Sequence, residues 1–285
     1  MPEGLEAEIW RSAAEPLVGR RIDRVEFDAR VADPRLVDFE GEWIQGIRRH
    51  GKVLIVDTSG SAIGLRFGMT GRLVIDGAAA IDRLEYASGA DRPDWDRIRV
   101  WTSPVPGPAA VAMRMNDPRR LGRIEVDPDL SLLGPDVLGI SIDELDEALG
   151  GRRTGLKAAL MNQQVVAGLG NLCVDEVLFA AGLAPNAAVA SLSADDVRGL
   201  HRAMRDRLGV MLRRGGSTQG VLDPARRSRL GRCPARGCQG YLRSEKIGGR
   251  TTVWCNTHQV GGGAGGTRSP ASRGVVPNAS ARVAD

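Results

Sequence analysis

Two stretches of this chain carry residues whose types and spacing could do chemistry. If Met1 is removed, Pro2 presents a free secondary amine with the Glu3 carboxylate one residue away. A neutral secondary amine attacks electrophilic carbon to form an iminium adduct, and a neighbouring carboxylate can move the protons that this needs. Far along the chain stands Cys233-x4-Cys238-x16-Cys255-x2-His258. Two such knuckles have the spacing of a closed Cys3His tetrahedron, which suits one structural Zn2+ and leaves no position for a reacting water. Zinc hairpins are a common means of holding nucleic acid. Together the two stretches point to covalent chemistry carried out on DNA. Between the ligands, residues 240–242 and 251–254 read as two short strands joined through Ile247-Gly248-Gly249, and Arg250 opens the second.

Other candidates lie between these ends. Gly168-Leu169-Gly170-Asn171 joins two helical segments. Its glycines permit close approach to a phosphate, and Asn171 could donate to that phosphate while capping the next helix; the plainer alternative is a helix–helix turn without a ligand. Lys157 and Asn162 on the preceding helix could converge on the same strand of DNA. In Asn116-Asp117-Pro118-Arg119-Arg120-Leu121-Gly122, two cations and Leu121 sit at a loop tip. There they are either solvated or able to enter a duplex beside a displaced base. Met69, in Gly68-Met69-Thr70-Gly71, is a second apolar wedge or an ordinary core residue. Lys52, after His50-Gly51, is a solvated lysine or, if it faces the groove, a phosphate clamp or proton carrier.

These side chains need elements to position them. Residues 3–14 read as a leading helix stopped by Pro16. Eight short β-type runs follow, at 22–27, 43–47, 53–57, 62–67, 72–75, 97–101, 110–115 and 123–126, a spacing that predicts a sandwich or barrel. Beyond Gly134-Pro135 the pattern turns helical, at 141–149 with a Ser141/Glu144 capping box, then 154–161, 172–181 and 193–213. From Gln259 on, glycine, serine and proline leave little to bury, which predicts a disordered tail. The expected division is residues 1–130, 131–225, 226–260 and a tail at 261–285, an α+β multidomain chain.

The 285 residues are 42% apolar and only 4% aromatic, enough for an aliphatic core of about two domains. Net charge is +4 and the pI about 9.1. The positive charge concentrates in Arg213, Arg214, Arg226, Arg227, Arg229, Arg232, Arg236, Arg243 and Lys246, beside the cysteine cluster. No apolar run approaches the ~20 residues of a membrane span, and a reducing, cytoplasmic setting is expected. Cys173, in an apolar stretch, reads as a buried small hydrophobe.

Pro2-Glu3-Gly4 with Glu6, Gly51-Lys52, Gly68-Met69-Thr70-Gly71, Asp117-Pro118-Arg119-Arg120, Leu133-Gly134-Pro135, Gly168-Leu169-Gly170-Asn171 and the cysteine hairpin occur in one order, from residue 2 to about 258. In this the chain resembles the formamidopyrimidine-DNA glycosylase and endonuclease VIII family. The resemblance implies an N-terminal β-sandwich with a leading helix, a helix-two-turn-helix domain and a zinc-finger hairpin, with damaged double-stranded DNA in the cleft. It implies a bifunctional glycosylase and abasic-site lyase, monomeric and associated with the nucleoid. By position Pro2 matches the nucleophile, Glu3 the acid/base, Lys52 the proton-transfer lysine and Arg250 the finger arginine. Asn171, Lys157 and, less closely aligned, Arg152 match phosphate contacts, while Met69 and Arg119 match residues that fill the void of the everted base.

The chain departs from the family pattern at Leu5 (proline in many members), at Leu121 (phenylalanine), at His258 (cysteine), in the widened first knuckle and in the short stretch 215–232. The last concerns substrate, since relatives that accept 8-oxoguanine carry a longer loop there. Two alternatives follow: a lyase acting mainly on abasic sites, or a non-catalytic damaged-DNA-binding protein. Amine chemistry favours Pro2 over Lys52 as nucleophile, because an α-amino group titrates near 7.7–8.0 and lysine near 10.4, both rough reference values.

Overall fold

The computed structural model describes residues 2–30, 32–81, 84, 89–103 and 110–261. Of the tail expected to be disordered at 261–285, residues 262–285 lie outside the described residues. Helix α1 (Gly4–Ala14) leads. Strands β1 (Ile22–Phe27), β2 (Ile44–His50), β3 (Val53–Thr58), β4 (Ala62–Arg66), β5 (Arg72–Ile75), β6 (Ala78–Ala79), β7 (Asp96–Thr102), β8 (Ala110–Asn116) and β9 (Arg123–Val126) follow. They form two antiparallel sheets, in the orders β1-β7-β8-β5-β6 and β2-β3-β4-β9. Successive strand residues point to opposite faces, so alternate positions meet in one core. Ile22, Ile98, Val100, Met113, Met115 and Leu73 come from the first sheet, and Ile44, Leu54, Val56, Ile63, Leu65 and Ile124 from the second.

The helical part comprises α2 (Ile142–Leu149), α3 (Leu156–Met161), α4 (Asn171–Ala181), α5 (Ala194–Arg213) and α6 (Pro224–Arg229). Capping boxes start two of these helices, Ser141 with Glu144 on α2 and Ser193 with Asp196 on α5. Their apolar faces make a second core around Leu145, Leu160, Val174, Leu178, Leu200 and Met204. A third, small core joins Phe179, Leu222 and Leu242 to the hairpin of β10 (Arg243–Ile247) and β11 (Arg250–Trp254). The first hairpin strand was expected at residues 240–242 and stands instead at Arg243–Ile247. Ile247 pairs with Arg250 across Gly248-Gly249, both at positive φ, as a two-residue hairpin turn requires.

Helix α1 belongs to both larger cores: Leu5 packs in the helical core, Trp10 and Ala14 in the sandwich. An ion cluster crosses the same junction. The side chain of Arg49 on β2 is 5% exposed and bonds Glu8 of α1 at 2.9 Å and Asp136 at 2.5 Å. Among the described residues no helix is long and apolar enough to cross a membrane.

Candidate active site

The N-terminal residues are held by the start of α4. Pro2 and Glu3 are buried. The Glu3 carboxylate accepts from the backbone N–H of Gly170 at 2.9 Å, of Leu172 at 2.8 Å and of Cys173 at 3.0 Å. These are unpaired donors of a helix N-terminus, which carries partial positive charge and is suited to an anion. The Gly-Leu-Gly-Asn turn was expected to cradle phosphate; the anion it holds is Glu3 of its own chain. Gly170 is required by this approach, since a Cβ there would lie 2.3 Å from Glu3 Cδ. The Gly4 N–H donates to the Gly168 carbonyl at 2.8 Å, which docks the first turn of α1 on the same loop.

Glu6 supports the dipeptide from below. Its carboxylate accepts from the Glu3 N–H at 2.7 Å and from the Ser217 N–H at 2.6 Å, linking the chemistry-bearing residues to the segment after α5. Burial, and then the neighbouring Glu3 charge, raise the Glu6 pKa. Lys52, half-buried beside the same carboxylates, is lowered from the ordinary lysine value by burial, with Glu3 and Glu6 opposing that shift and Arg250 adding to it. Lys52, Glu3, Glu6 and Arg250 thus share one electrostatic neighbourhood. Cys173, 1% exposed, faces it from α4, and burial followed by Glu3 drives its thiol pKa well up.

A second group forms on the sandwich. Arg119 Nη1 lies 3.7 Å from Met69 Sδ, and Leu121 is 46% exposed beside it. The loop that presents them turns around Asp117, fully buried, whose carboxylate accepts from Thr70 Oγ1 and from the N–H groups of Arg119 at 3.2 Å, Leu121 at 2.8 Å and Gly122 at 2.8 Å. Met69, Arg119 and Leu121 are therefore brought together on a rigid loop pair. Asp117 was legible only as part of a motif, not as its hub.

Three expected phosphate contacts are engaged elsewhere. Lys157 is 1% exposed and donates to Asp175 at 2.6 Å and to Thr252 Oγ1 at 2.8 Å, so as it stands it is a buried structural cation. Asn171 Nδ2 donates to the Thr251 carbonyl at 3.0 Å, which ties α4 to the finger. Arg152 is half-buried and caps the end of α2 through the Ala148 carbonyl at 2.7 Å.

Cys233, Cys238 and Cys255 bring their Sγ atoms within 4.8 Å of one another. Cys238 and Cys255 are 3.8 Å apart at sulfur, matching the edge of a tetrahedron with metal–sulfur bonds of about 2.3 Å, roughly 3.8 Å. The donor set fits a thiophilic ion such as zinc. The structure does not gather His258 with the thiols; its Nε2 donates to the Phe179 carbonyl at 2.8 Å and its ring lies 4.7 Å from that of Phe179.

A sandwich joined through its leading helix to a helical unit and a cysteine-bearing hairpin, with a buried Glu3 at the junction, is an architecture shared with known proteins. Residues 1–124 match the formamidopyrimidine-DNA glycosylase N-terminal domain, and residues 133–222 the formamidopyrimidine-DNA glycosylase H2TH domain. Formamidopyrimidine-DNA glycosylase of Rhodopseudomonas palustris (strain BisB18) is 34% identical over 297 residues, covering 90% of this chain and 98% of that one. The enzyme of the same name from Cereibacter sphaeroides (strain ATCC 17029 / ATH 2.4.9) is 36% identical over 238 residues, covering 76% and 81%. Wild-type Lactococcus lactis Fpg (MutM), solved with DNA containing N7-benzyl-Fapy-dG, superposes with a TM-score of 0.72 at 25% identity, over 90% of this chain and 99% of that one. The chain belongs to the formamidopyrimidine-DNA glycosylase and endonuclease VIII family.

Proposed function

We propose that the protein is a DNA repair glycosylase with abasic-site lyase activity, acting as a cytoplasmic, nucleoid-associated monomer on damaged double-stranded DNA. The observation that carries this is the burial of Pro2 and Glu3 on the α4 N-terminus, with the Glu3 and Arg250 charges both acting on Lys52. With Met1 removed, the Pro2 nitrogen attacks C1′ of the damaged nucleotide while the bond to the base breaks and the base leaves with a proton. Glu3 moves protons as the sugar ring opens to the iminium. Two of its three cradle bonds fall on Oε2 and one on Oε1, so Oε1 has the freer lone pair for exchange. Loss of a C2′ proton then drives out the 3′ phosphate, and water hydrolyses the adduct to free Pro2. Lys52, its affinity for a proton weakened by burial, serves as a proton carrier. Arg250, exposed on the finger, holds the phosphate that departs.

Met69, Arg119 and Leu121 fill the space of the everted base, whose eversion costs a few kcal/mol and least for a damaged base. Zn2+ would be held by Cys233, Cys238 and Cys255, with His258 as fourth ligand. It would staple the hairpin. Asn171, tied to the finger through the Thr251 carbonyl, and Arg152, at the end of α2, would contact phosphate by exchanging those bonds for the DNA backbone. The domains are taken as residues 1–130, 131–225 and 226–260, a division supported by the three cores, although Leu5 packs in the helical core and Phe179 and Leu222 pack in that of the finger.

A panel of duplexes carrying formamidopyrimidines, 8-oxoguanine, oxidised pyrimidines or an abasic site tests this directly. Base release and nicking together are expected. Nicking of the abasic duplex alone would favour a lyase with little base excision, and binding without either product would favour a recognition protein.

A further inference from the structure

Arg250, whose charge acts on Lys52, stands on a hairpin seated on the helical unit, and the bonds that seat it converge on one side chain. Asp175 lies mid-way along the largely apolar α4 and is 2% exposed. Its Oδ1 accepts from Lys157 Nζ of α3 at 2.6 Å. Its Oδ2 accepts from Arg227 Nη1 of α6 at 2.8 Å and from the Val253 N–H of β11 at 3.1 Å. Lys157 also donates to Thr252 Oγ1 at 2.8 Å, and that hydroxyl donates to the Arg250 carbonyl at 3.1 Å. The Thr251 carbonyl accepts from Asn171 at 3.0 Å and from Arg227 at 3.4 Å. The three residues after Arg250 are therefore each fixed from α3, α4 or α6, and Arg250 is tied to them through the Thr252 hydroxyl.

A buried charge cluster is weak support for stability, because apolar replacements are often as stable; its best attested use is to select one arrangement among several. Here the arrangement selected is the register of β11 on α4. The cysteines hold only the far end of that strand, at Cys255. We propose that Asp175 is a positioning residue that aims Arg250, acting through Lys157, Thr252, Arg227 and the β11 backbone. This rests on the role of Arg250 given above. Without Asp175 the finger keeps its metal site and loses its alignment, so strand cleavage slows while base release is less affected. A misplacement of ~1 Å can cost about a hundredfold in rate.

The test is single-turnover nicking of an abasic duplex and base release from a lesion duplex by the full chain, comparing wild type, Asp175→Asn, Arg250→Gln and the double variant, with metal content and melting recorded for each. Asp175→Asn is expected to slow nicking about tenfold or more, and the double variant to be no slower than Arg250→Gln, since residues that act through one another are not additive. Multiplying losses in the double variant, or equal losses in base release and nicking, would overturn the proposal and leave Asp175 as fold support. A slow Arg250→Gln with a normal Asp175→Asn would refute Asp175 alone. A normal Arg250→Gln would remove the role assigned to Arg250 and the proposal with it. Thr252→Val, isosteric and lacking only the hydroxyl, carries the same test if Asp175→Asn does not fold. Its loss should again vanish in the Arg250→Gln background, and a loss that persists there would count against the proposal.

Discussion

Gly170→Ala isolates the cradle that holds Glu3. Gly170 has φ −125° and ψ −167°, extended backbone that alanine adopts freely, so the substitution adds a methyl group without backbone strain. That methyl would stand 2.3 Å from Glu3 Cδ, 2.5 Å from Oε1 and 2.6 Å from Cγ. Ordinary contact begins near 3.4 Å, so the carboxylate must retreat by about 1 Å, enough to stretch all three of its bonds to the α4 N-terminus and, on the scale of active-site misplacements, to cost about a hundredfold in rate. The lost cap should cost about 1–3 kcal/mol of stability, the range from an ordinary N-cap to a charge-assisted hydrogen bond. Single-turnover base release from a lesion duplex, with urea unfolding of the same preparations, measures both. Base release within about threefold of wild type at unchanged stability would refute the idea that the cradle positions Glu3, because a displacement on the order of 1 Å should cost far more.

Asp117→Asn leaves one carbonyl oxygen where a carboxylate accepted from Thr70 and three backbone N–H groups. It should cost about 1–3 kcal/mol in unfolding experiments and loosen the wedge loop, lowering base release more than nicking of a pre-formed abasic site. Glu6 has its folded-state pKa raised, so its contribution to stability is full below the ordinary carboxyl value and is lost as pH rises through the folded value. Denaturation from acid to neutral pH should therefore show wild type ahead of Glu6→Gln by most at the acid end, with the gap shrinking as pH rises; a constant gap would contradict it. Chelation of the metal, or Cys255→Ser, should weaken DNA affinity in a binding titration while the sandwich and helical cores stay folded by circular dichroism.

Short strands rich in aliphatic residues were readable: the observed Ile22–Phe27, Arg72–Ile75 and Arg123–Val126 coincide with the runs in the sequence, with burial alternating along Arg123–Val126 and every residue of Arg72–Ile75 buried. Polar elements were not. Helix α6, Pro224–Arg229, buries no residue and has no apolar stripe to read; it forms because Asp223 caps it and Arg227 reaches Asp175. Strand β10 is almost wholly exposed, and the apolar signal lies instead in Tyr241-Leu242 beside it. Lys157 shows the corresponding limit for sites. Spacing put it on a helix next to a glycine turn, but its partner is Asp175, 18 residues on, and an acidic residue inside an apolar helix was the available signal. The glycine turn itself was legible as an anion site, and what sequence could not supply was that the anion arrives from Glu3, more than 160 residues earlier.

Borohydride trapping on an abasic duplex tests the central claim most directly, with intact mass establishing that Met1 is absent. Wild type should give one covalent protein–DNA adduct, mapped by peptide mass to the Pro2 nitrogen, and Pro2→Gly should give far less. No adduct, an equal adduct in Pro2→Gly, or an adduct mapped to Lys52 would contradict a mechanism that begins at Pro2.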